Sequence, residues 1–371
     1  MKYYIIAGEA SGDLHGSNLM KALRRKDAEA DFRCWGGDLM EASGGNLVKH
    51  YRNLAFMGFV TVLLNLRTIL GNIRFCKEDI LAYQPDVLIL IDYPGFNLRI
   101  AEFAHKASIP IVYYISPQVW AWHSSRVPKM MEVIDKMMVI LPFEKDYFAE
   151  KWNWEVDFVG HPLLDVVAQK QAAFNDLQPT DLGLTSNKPI IALLPGSRQQ
   201  EISIVLPQML SVIDRFPQYQ FVIAGAPSLG HSFYETFTWG KNVQVVSNQT
   251  YLLLHLAEAA LVTSGTATLE TALFGVPQVV CYKGNWISYW IAKRLVDVPF
   301  ISLVNLVSEK EVVKELIQGD LNPKNLQTEL QKILPNGSRY LSIKKEYEQL
   351  YEKLGREGAS DEAARLVLEV V

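Results

Sequence analysis

Short apolar runs of the kind that form buried strands alternate with helical patterns along almost the whole chain. Such alternation is typical of βαβ units, in which parallel strands form a sheet and helices cover both of its faces. The strand candidates are residues 3–7, 87–91, 111–115 and 137–141 in the first half, and 190–194, 221–224, 243–246, 261–263 and 278–282 in the second. We therefore predict an α/β protein built from doubly wound parallel sheets.

The length of 371 residues exceeds the roughly 250 to 300 residues over which one hydrophobic core usually grows. A polar stretch at 169–189, rich in Gln, Asp, Asn and Thr, is typical of an inter-domain connector. We predict a first domain over 1–168, a second over 190–345, and a C-terminal helix within 346–371 that packs back on the first domain. Two such domains facing a cleft would serve a two-substrate enzyme, because ligands bind outside the carboxyl ends of parallel strands.

Charge and cysteine content exclude several classes of protein. The net charge of -4 gives no general excess of positive charge for binding nucleic acid. Cys34, Cys76 and Cys281 lie far apart, so neither a disulfide framework nor a zinc site is indicated. The apolar run at 1–8 is too short for an export signal, and the one at 55–66 is too short to span a bilayer. We expect a cytoplasmic protein.

A first candidate phosphate loop follows the strand at 190–194. Gly196 allows the backbone to approach a ligand, Ser197 can cap the next helix or donate to an oxygen, and Arg198 offers a planar fork for phosphate. An ordinary strand-to-helix turn with a surface arginine is an equally good interpretation of this motif alone.

A second candidate loop follows the strand at 261–263. Ser264, Gly265 and Thr266 expose the first N–H groups of a helix, whose positive end favours a diphosphate, and Glu270 could accept hydrogen bonds from ribose hydroxyls. The alternative is a well-capped helix with a solvated Glu270. Two such loops in one domain suggest a nucleotide diphosphate, although neither a Walker A motif nor Gly-X-Gly-X-X-Gly is present.

The N-terminal strand opens into a loop of small and polar residues that suits a second substrate. Its glycines permit close approach, and its acidic and histidine side chains are candidates for chemistry. These residues are Gly8, Glu9, Ser11, Gly12, Asp13, His15 and Gly16. A helix capped at Ser11 or Asp13 is the structural alternative.

Asp92 ends the strand at 87–91, where partial desolvation would raise its pKa and make it a better base for an attacking hydroxyl. The competing interpretation is that Asp92 caps the next turn. Trp120 and Trp122 follow another strand end and could stack on a sugar, although aromatic residues this close together are more often core.

Two amphipathic stretches could meet a membrane. Residues 56–75 place apolar side chains on one helical face and on a second stripe, with Arg67, Arg74 and Lys77 nearby. Residues 286–294 form an aromatic and basic stripe. Burial between two structural elements is the alternative for the first stretch, and contact with a partner subunit is the alternative for the second.

Nine segments, taken in order along the chain, resemble the lipid-A-disaccharide synthases. They are 8–13, 56–59, 91–97, 119–122, 141–145, 160–162, 194–198, 264–270 and 302–306. The resemblance implies the GT-B architecture, two Rossmann-like domains with the nucleotide on the C-terminal one and the acceptor on the N-terminal one. It implies an inverting, metal-independent transfer of 2,3-diacylglucosamine from UDP to 2,3-diacylglucosamine 1-phosphate, which forms a β-1,6-linked disaccharide phosphate and UDP without a cofactor.

The resemblance also assigns roles. Asp92 matches the essential carboxylate, Arg198 the arginine of the donor loop and Asn305 a further functional residue, while Met57 and Trp120 join the acceptor side. The chain departs from the family at Gly95, where a second aspartate is common. The resemblance further implies peripheral contact with the cytoplasmic face of the inner membrane and allows a homodimer. Two alternatives stay open at this point: a UDP-sugar 2-epimerase of the same fold and a non-catalytic UDP-sugar-binding protein.

Overall fold

The chain forms two compact units, Met1–Pro162 with Gly355–Val371, and Leu163–Leu354. The computed structural model describes residues 1–54, 66–284 and 298–371, apart from the side chain of Leu66. These boundaries differ from the predicted ones, because the proposed connector at 169–189 belongs to the second unit. Apolar side chains within that polar stretch, Phe174, Leu177, Leu182 and Leu184, pack on the second unit's core.

The first unit alternates strands and helices. Its elements are β1 (Lys2–Ala7), α1 (Ala10–Lys26), β2 (Asp31–Gly36), α2 (Asp38–Ala42), β3 (Asn46–His50), α3 (Leu66–Tyr83), β4 (Val87–Ile91), α4 (Pro94–Lys106), β5 (Ile111–Tyr114), α5 (Val127–Val133), β6 (Lys136–Val139), α6 (Pro142–Trp152) and β7 (Asp157–Phe158). The seven strands pair in parallel in the order β3-β2-β1-β4-β5-β6-β7.

The second unit repeats the plan. Its elements are α7 (Leu163–Phe174), β8 (Ile190–Leu194), α8 (Gln199–Leu210), β9 (Gln220–Gly225), α9 (His231–Thr238), β10 (Val243–Ser247), α10 (Thr250–Leu256), β11 (Ala257–Thr263), α11 (Thr266–Leu273), β12 (Gln278–Tyr282), α12 (Leu303–Ser308), β13 (Lys314–Ile317), α13 (Pro323–Ile333) and α14 (Tyr340–Lys353). Six parallel strands pair in the order β10-β9-β8-β11-β12-β13. The last helix, α15 (Ala359–Leu368), belongs to the first unit.

Strand side chains explain why helices cover both faces of the first sheet. Tyr3 and Ile5 of β1 pack into one core cluster and Tyr4 and Ile6 into the other, since successive side chains of a strand point to opposite faces. Residues of α15, including Ala363, fill the first of these clusters. The C-terminal helix therefore completes the core of the unit in which the chain begins.

Both sheets reverse their strand order beside their first strand. In the first unit the reversal lies between β1 and β4, and in the second between β8 and β11. This order confirms the prediction of two doubly wound α/β domains. Ligands of such sheets bind at the reversal, outside the carboxyl ends of the two strands, so the loops after β1, β4, β8 and β11 form the candidate ligand sites.

Candidate functional sites on the two sheets

The loops after β1 and β4 meet at the reversal of the first sheet. Ala7 lies opposite Ile91 in the register of these strands, so Gly8 and Asp92, the next residues, are neighbours. A side chain at Gly8 would collide with the ring of Tyr93. Glycine is therefore required at this position by the close approach of that aromatic ring.

Asp92 is half-buried and lies beside a second carboxylate. Burial raises the pKa of Asp92 to about 6, and the charge of Glu9 adds to the rise, although the N–H of Tyr93 donates to the carboxylate and opposes it. A carboxylate with this pKa is ionised at neutral pH and is a stronger base than an ordinary aspartate. The predicted rise in the pKa of Asp92 therefore has a physical cause in the structure.

The first turn of α1 does not have the predicted cap. The helix begins after Glu9 without a side-chain cap, and Ser11 is exposed. Asp13 is buried, and its carboxylate accepts hydrogen bonds from the N–H groups of Gly37, Leu39 and Met40 at 2.8 to 3.1 Å. Asp13 thus caps the following helix, α2, rather than its own, and these bonds stabilise the packing of α2 beside α1.

His15 is buried near a second histidine. Burial lowers the pKa of His15 to about 4. Burial also lowers the pKa of His161 to about 3, and the charge of the nearby His15 adds to that fall. Both rings are therefore neutral near pH 7, and Nδ1 of His15 has no hydrogen-bond partner. Within the part of the chain that the structure describes, no cluster of His, Cys, Asp or Glu has the arrangement of a metal site.

Glu144 is a site candidate that the sequence analysis misses. It lies in the first turn of α6, only 1% exposed, and accepts hydrogen bonds from Trp120 Nε1 at 3.1 Å and from the Leu141 N–H at 3.0 Å. Burial raises the pKa of Glu144 to about 7, and the charge of Asp92 contributes. Glu144 therefore links Trp120 to the surroundings of Asp92. A Pro followed two residues later by Glu, as here, signals only a helix start.

Trp120 also packs edge-to-face on Phe143, with ring centroids 4.9 Å apart. It is partly exposed, so it has surface available for a ligand. Trp122 is 52% exposed and stacks beside His123 instead. The structure thus separates the two tryptophans that the sequence groups together.

The loop after β8 has the conformation that its glycine predicts. Gly196 has a φ of +110°, and a side chain there would collide with Glu201. The Ser197 N–H donates to the Glu201 carboxylate. Burial raises the pKa of Glu201, and the positive charge of Arg198 opposes that rise. Arg198 is exposed and is the residue from which α8 begins. Arg198 thus lies exposed at the N-terminal end of α8, which carries the positive end of the helix dipole.

The loop after β11 is its neighbour across the reversal. Gly265 precedes α11, and both Gly265 and Thr266 are exposed. Glu270 is held by a 2.8 Å hydrogen bond from the hydroxyl of Tyr251, and burial raises its pKa. Tyr251, which sequence reasoning misses, stacks on Phe274 with centroids 5.6 Å apart. Glu270 is therefore an oriented carboxyl group rather than a solvated one.

Asn305 does not lie where it could touch a ligand. It is 0% exposed, and its amide oxygen accepts from the N–H groups of Val312 and Val313 at 2.8 and 2.9 Å. Its amide nitrogen donates to the Val313 carbonyl and to Glu315, which in turn accepts from the Ser302 N–H at 2.9 Å. These bonds account for the whole amide, so Asn305 holds residues 312–315 after α12, and through Glu315 the Ser302 N–H before it, instead of contacting substrate.

The residues just before α12 are joined to the loop after β11. The hydroxyl of Ser264 donates to the Ile301 carbonyl at 2.7 Å. Ser264 directly, and Asn305 through Glu315, are thus both bonded to residues 301–302 before α12. Met57, the first part of the predicted amphipathic stretch at 56–65, and the stripe at 286–294 lie outside the described residues.

Comparison with known proteins agrees with this architecture. A family model described as lipid-A-disaccharide synthetase matches residues 3–370. The lipid-A-disaccharide synthase of Syntrophus aciditrophicus is 40% identical, over 99% of this chain and 97% of that protein. The enzyme of the same name from Myxococcus xanthus is 34% identical, over 99% and 97% respectively.

Solved structures share the fold at low identity. The glycosyltransferase of kitacinnamycin superposes with a TM-score of 0.69 at 13% identity, covering 99% of this chain and 98% of that one. A UDP-GlcNAc 2-epimerase from Methanocaldococcus jannaschii, in complex with UDP-GlcNAc and UDP, gives 0.65 at 13% identity, covering both chains fully. The epimerase likeness is one of fold alone, whereas the family model and the curated relatives span the sequence. The chain therefore belongs to the lipid-A-disaccharide synthase family of glycosyltransferases, with the GT-B fold.

Proposed function

We propose that this glycosyltransferase moves 2,3-diacylglucosamine from its UDP derivative to the 6-hydroxyl of 2,3-diacylglucosamine 1-phosphate, with inversion at the anomeric carbon. The observation that carries the mechanism is the carboxyl group of Asp92, half-buried at the end of β4 with a pKa raised to about 6 by burial. Asp92 takes the proton of the attacking hydroxyl. The oxygen then attacks the face of the sugar opposite UDP, and UDP leaves with the electrons of the broken bond.

The donor binds the second unit in this proposal. The exposed N–H groups at the start of α11, in the loop Ser264, Gly265 and Thr266, and the guanidinium of Arg198 neutralise the diphosphate as its charge grows. Gly196 and Ser197 belong to the loop after β8 that carries Arg198. Glu270, oriented by Tyr251, accepts hydrogen bonds from the ribose.

The acceptor binds the first unit. Glu9, Ser11 and Trp120 have exposed or partly exposed surface and would contact the sugar. Gly8 and Gly12 are buried, and they shape the loop by admitting the ring of Tyr93 and the side chain of Ala7. His15 is nearly buried, so its contribution is a neutral ring behind the loop. Asp13 supports the loop through α2, and Met57 is carried over from the resemblance alone.

Mass spectrometry of the products tests the reaction. Incubation of UDP-diacylglucosamine with diacylglucosamine 1-phosphate is expected to yield one disaccharide phosphate and one UDP per turnover. UDP-GlcNAc incubated alone is the control, since a 2-epimerase would convert it into a second sugar nucleotide without an acceptor. Binding of UDP-sugar with no UDP released when the lipid acceptor is present would instead identify a non-catalytic binding protein.

We also propose peripheral contact with the cytoplasmic face of a membrane, where acylated substrates would reside. Among the described residues, no helix is long and apolar enough to cross a bilayer. Helix α3, however, exposes Leu70 (52%) and Phe75 (45%) beside the exposed cations Arg67 and Arg74. Apolar side chains flanked by cations suit the surface of an anionic bilayer. A homodimer of this chain remains part of the proposal.

Vesicle flotation measures that contact. The Leu70→Ser/Phe75→Ser variant is expected to float with anionic vesicles less than the wild type, and added salt should weaken binding of the wild type because its charges are screened. The matched control is Trp239→Ser/Leu341→Ser, which removes two exposed apolar side chains, 90% and 77% exposed, from the second unit. Equal flotation of all three proteins would remove α3 from the membrane contact.

A further inference from the structure

The backbone turn that presents Asp92 is unusual because it is left-handed without a glycine. Asp92 has a φ of 45° and Tyr93, the next residue, a φ of 49°. Side chains at such φ values are sterically disfavoured, and two in succession persist only where the surroundings hold them. The residues that hold this turn therefore govern where the carboxylate of Asp92 lies.

Two buried side chains bond to the carbonyl of Asp92. The amide nitrogen of Asn97 donates to it at 2.7 Å, and the hydroxyl of Tyr113 donates to it at 2.6 Å. Asn97 also donates to the Ile91 carbonyl at 3.2 Å. Both side chains are 0% exposed, so neither can touch a substrate directly.

The second residue of the turn is held from its other side. The ring of Tyr93 lies against Gly8 and stacks on Phe96, with centroids 5.6 Å apart. Its hydroxyl donates to the Leu54 carbonyl at 3.2 Å. The packing of the Tyr93 ring and the hydrogen bonds to the Asp92 carbonyl thus hold the turn separately. A substitution can remove the bonds to that carbonyl without disturbing the packing of Tyr93.

We propose that Asn97 and Tyr113 are positioning residues of the glycosyl transfer, which hold the left-handed turn so that the Asp92 carboxylate stays in its half-buried place. This inference rests on the proposed role of Asp92 as the base. It adds that the geometry of the base is set by two hydrogen bonds to its own carbonyl, one from α4 and one from β5.

The test compares Tyr113→Phe and Asn97→Ala with the wild type. Tyr113→Phe removes one oxygen and one hydrogen bond, so we expect kcat to fall by about 10-fold. Asn97→Ala removes both of its bonds to the turn, and a small displacement of the base is expected to lower kcat by about 10²-fold. KM for the donor and Kd for UDP should not change, because the nucleotide is assigned to the other unit.

A pH profile separates positioning from general damage. A released turn admits water to the carboxylate, so the acidic limb of kcat/KM, expected near pH 6 in the wild type from the pKa of Asp92, should move to lower pH in both variants. The control is Tyr83→Phe, which removes a tyrosine hydroxyl that likewise donates to a backbone carbonyl, that of Asp31, at 2.9 Å. This control should keep the wild-type kcat and limb.

Wild-type kcat in Tyr113→Phe, or a loss of kcat with an unmoved acidic limb in either variant, would overturn the inference. Tyr113→Phe keeps the ring and thus remains informative if Asn97→Ala does not fold. The variant Asp92→Asn distinguishes the two levels of the proposal. Its retention of activity would remove the proposed base itself, whereas an inactive Asp92→Asn beside fully active Asn97 and Tyr113 variants would remove only the positioning role.

Discussion

Replacing Asp92 with asparagine is expected to lower kcat by about 10²- to 10⁴-fold, the usual contribution of a positioned general base. Asparagine has nearly the same shape, and its oxygen can still accept from the Tyr93 N–H, but it cannot take the proton of the attacking hydroxyl. Kd for UDP, measured by calorimetry, should stay at the wild-type value. UDP release in the presence of both substrates gives the turnover.

The same substitution should alter the pH profile. Because a base must be ionised to act and burial raises the pKa of Asp92 to about 6, kcat/KM of the wild type should rise with pH through about 6 and be lost below it. The residual activity of Asp92→Asn should lack that limb. Glu9→Gln should move the limb to lower pH, since the charge of Glu9 contributes to the raised pKa.

Asp86 provides the matched control. It lies just before β4, whereas Asp92 follows the other end of the same strand, and its carboxylate accepts from the Lys2 N–H at 2.7 Å. Asp86→Asn should therefore leave kcat and the acidic limb unchanged. Wild-type turnover by Asp92→Asn would show that another group accepts the proton.

The sequence predicts those parts of the fold that repeat a simple pattern. All nine proposed strands exist. Most are short apolar runs buried on both faces of a parallel sheet, whereas β10 is an edge strand with only Val246 buried. The four strands that it misses, β2, β3, β7 and β13, are short or carry charged residues such as Arg33 and Lys314. Pairing with neighbouring strands, not local pattern, makes these segments β-strands.

The candidate site is predictable only where a residue directly follows a buried strand. Asp92 and Ser264 meet that condition and Gly196 comes one residue later, so their loops are found from sequence. Glu144 cannot be found in this way, because its contact with Trp120 spans 24 residues of sequence. In the opposite direction, Asp13 resembles a site residue until the structure shows its carboxylate bonded to the start of α2. A single sequence does not distinguish a carboxylate that awaits a ligand from one that caps a distant helix.

Replacing Arg198 with alanine is expected to lower kcat by about 10²- to 10³-fold, the second large effect that we predict. This is the usual loss when one group that stabilises developing negative charge is removed. Arg198 is exposed at the start of α8, where its guanidinium and the helix N–H groups would meet the departing diphosphate. Arg198→Lys should recover only part of the loss, because lysine keeps the charge but not the planar fork.

Arg215→Ala is the control for Arg198, since Arg215 is an exposed arginine of the same unit at the end of a short 3-10 helix away from the loops after β8 and β11. It should behave as the wild type.

The comparison of kcat with Kd for UDP decides how Arg198 acts. A fall in kcat with a modest change in Kd means that the guanidinium binds the leaving group more strongly in the transition state than in the ground state. Weaker UDP binding at unchanged kcat would instead make Arg198 an anchor for the nucleotide, and the positive end of α11 would then carry the stabilisation of the leaving diphosphate.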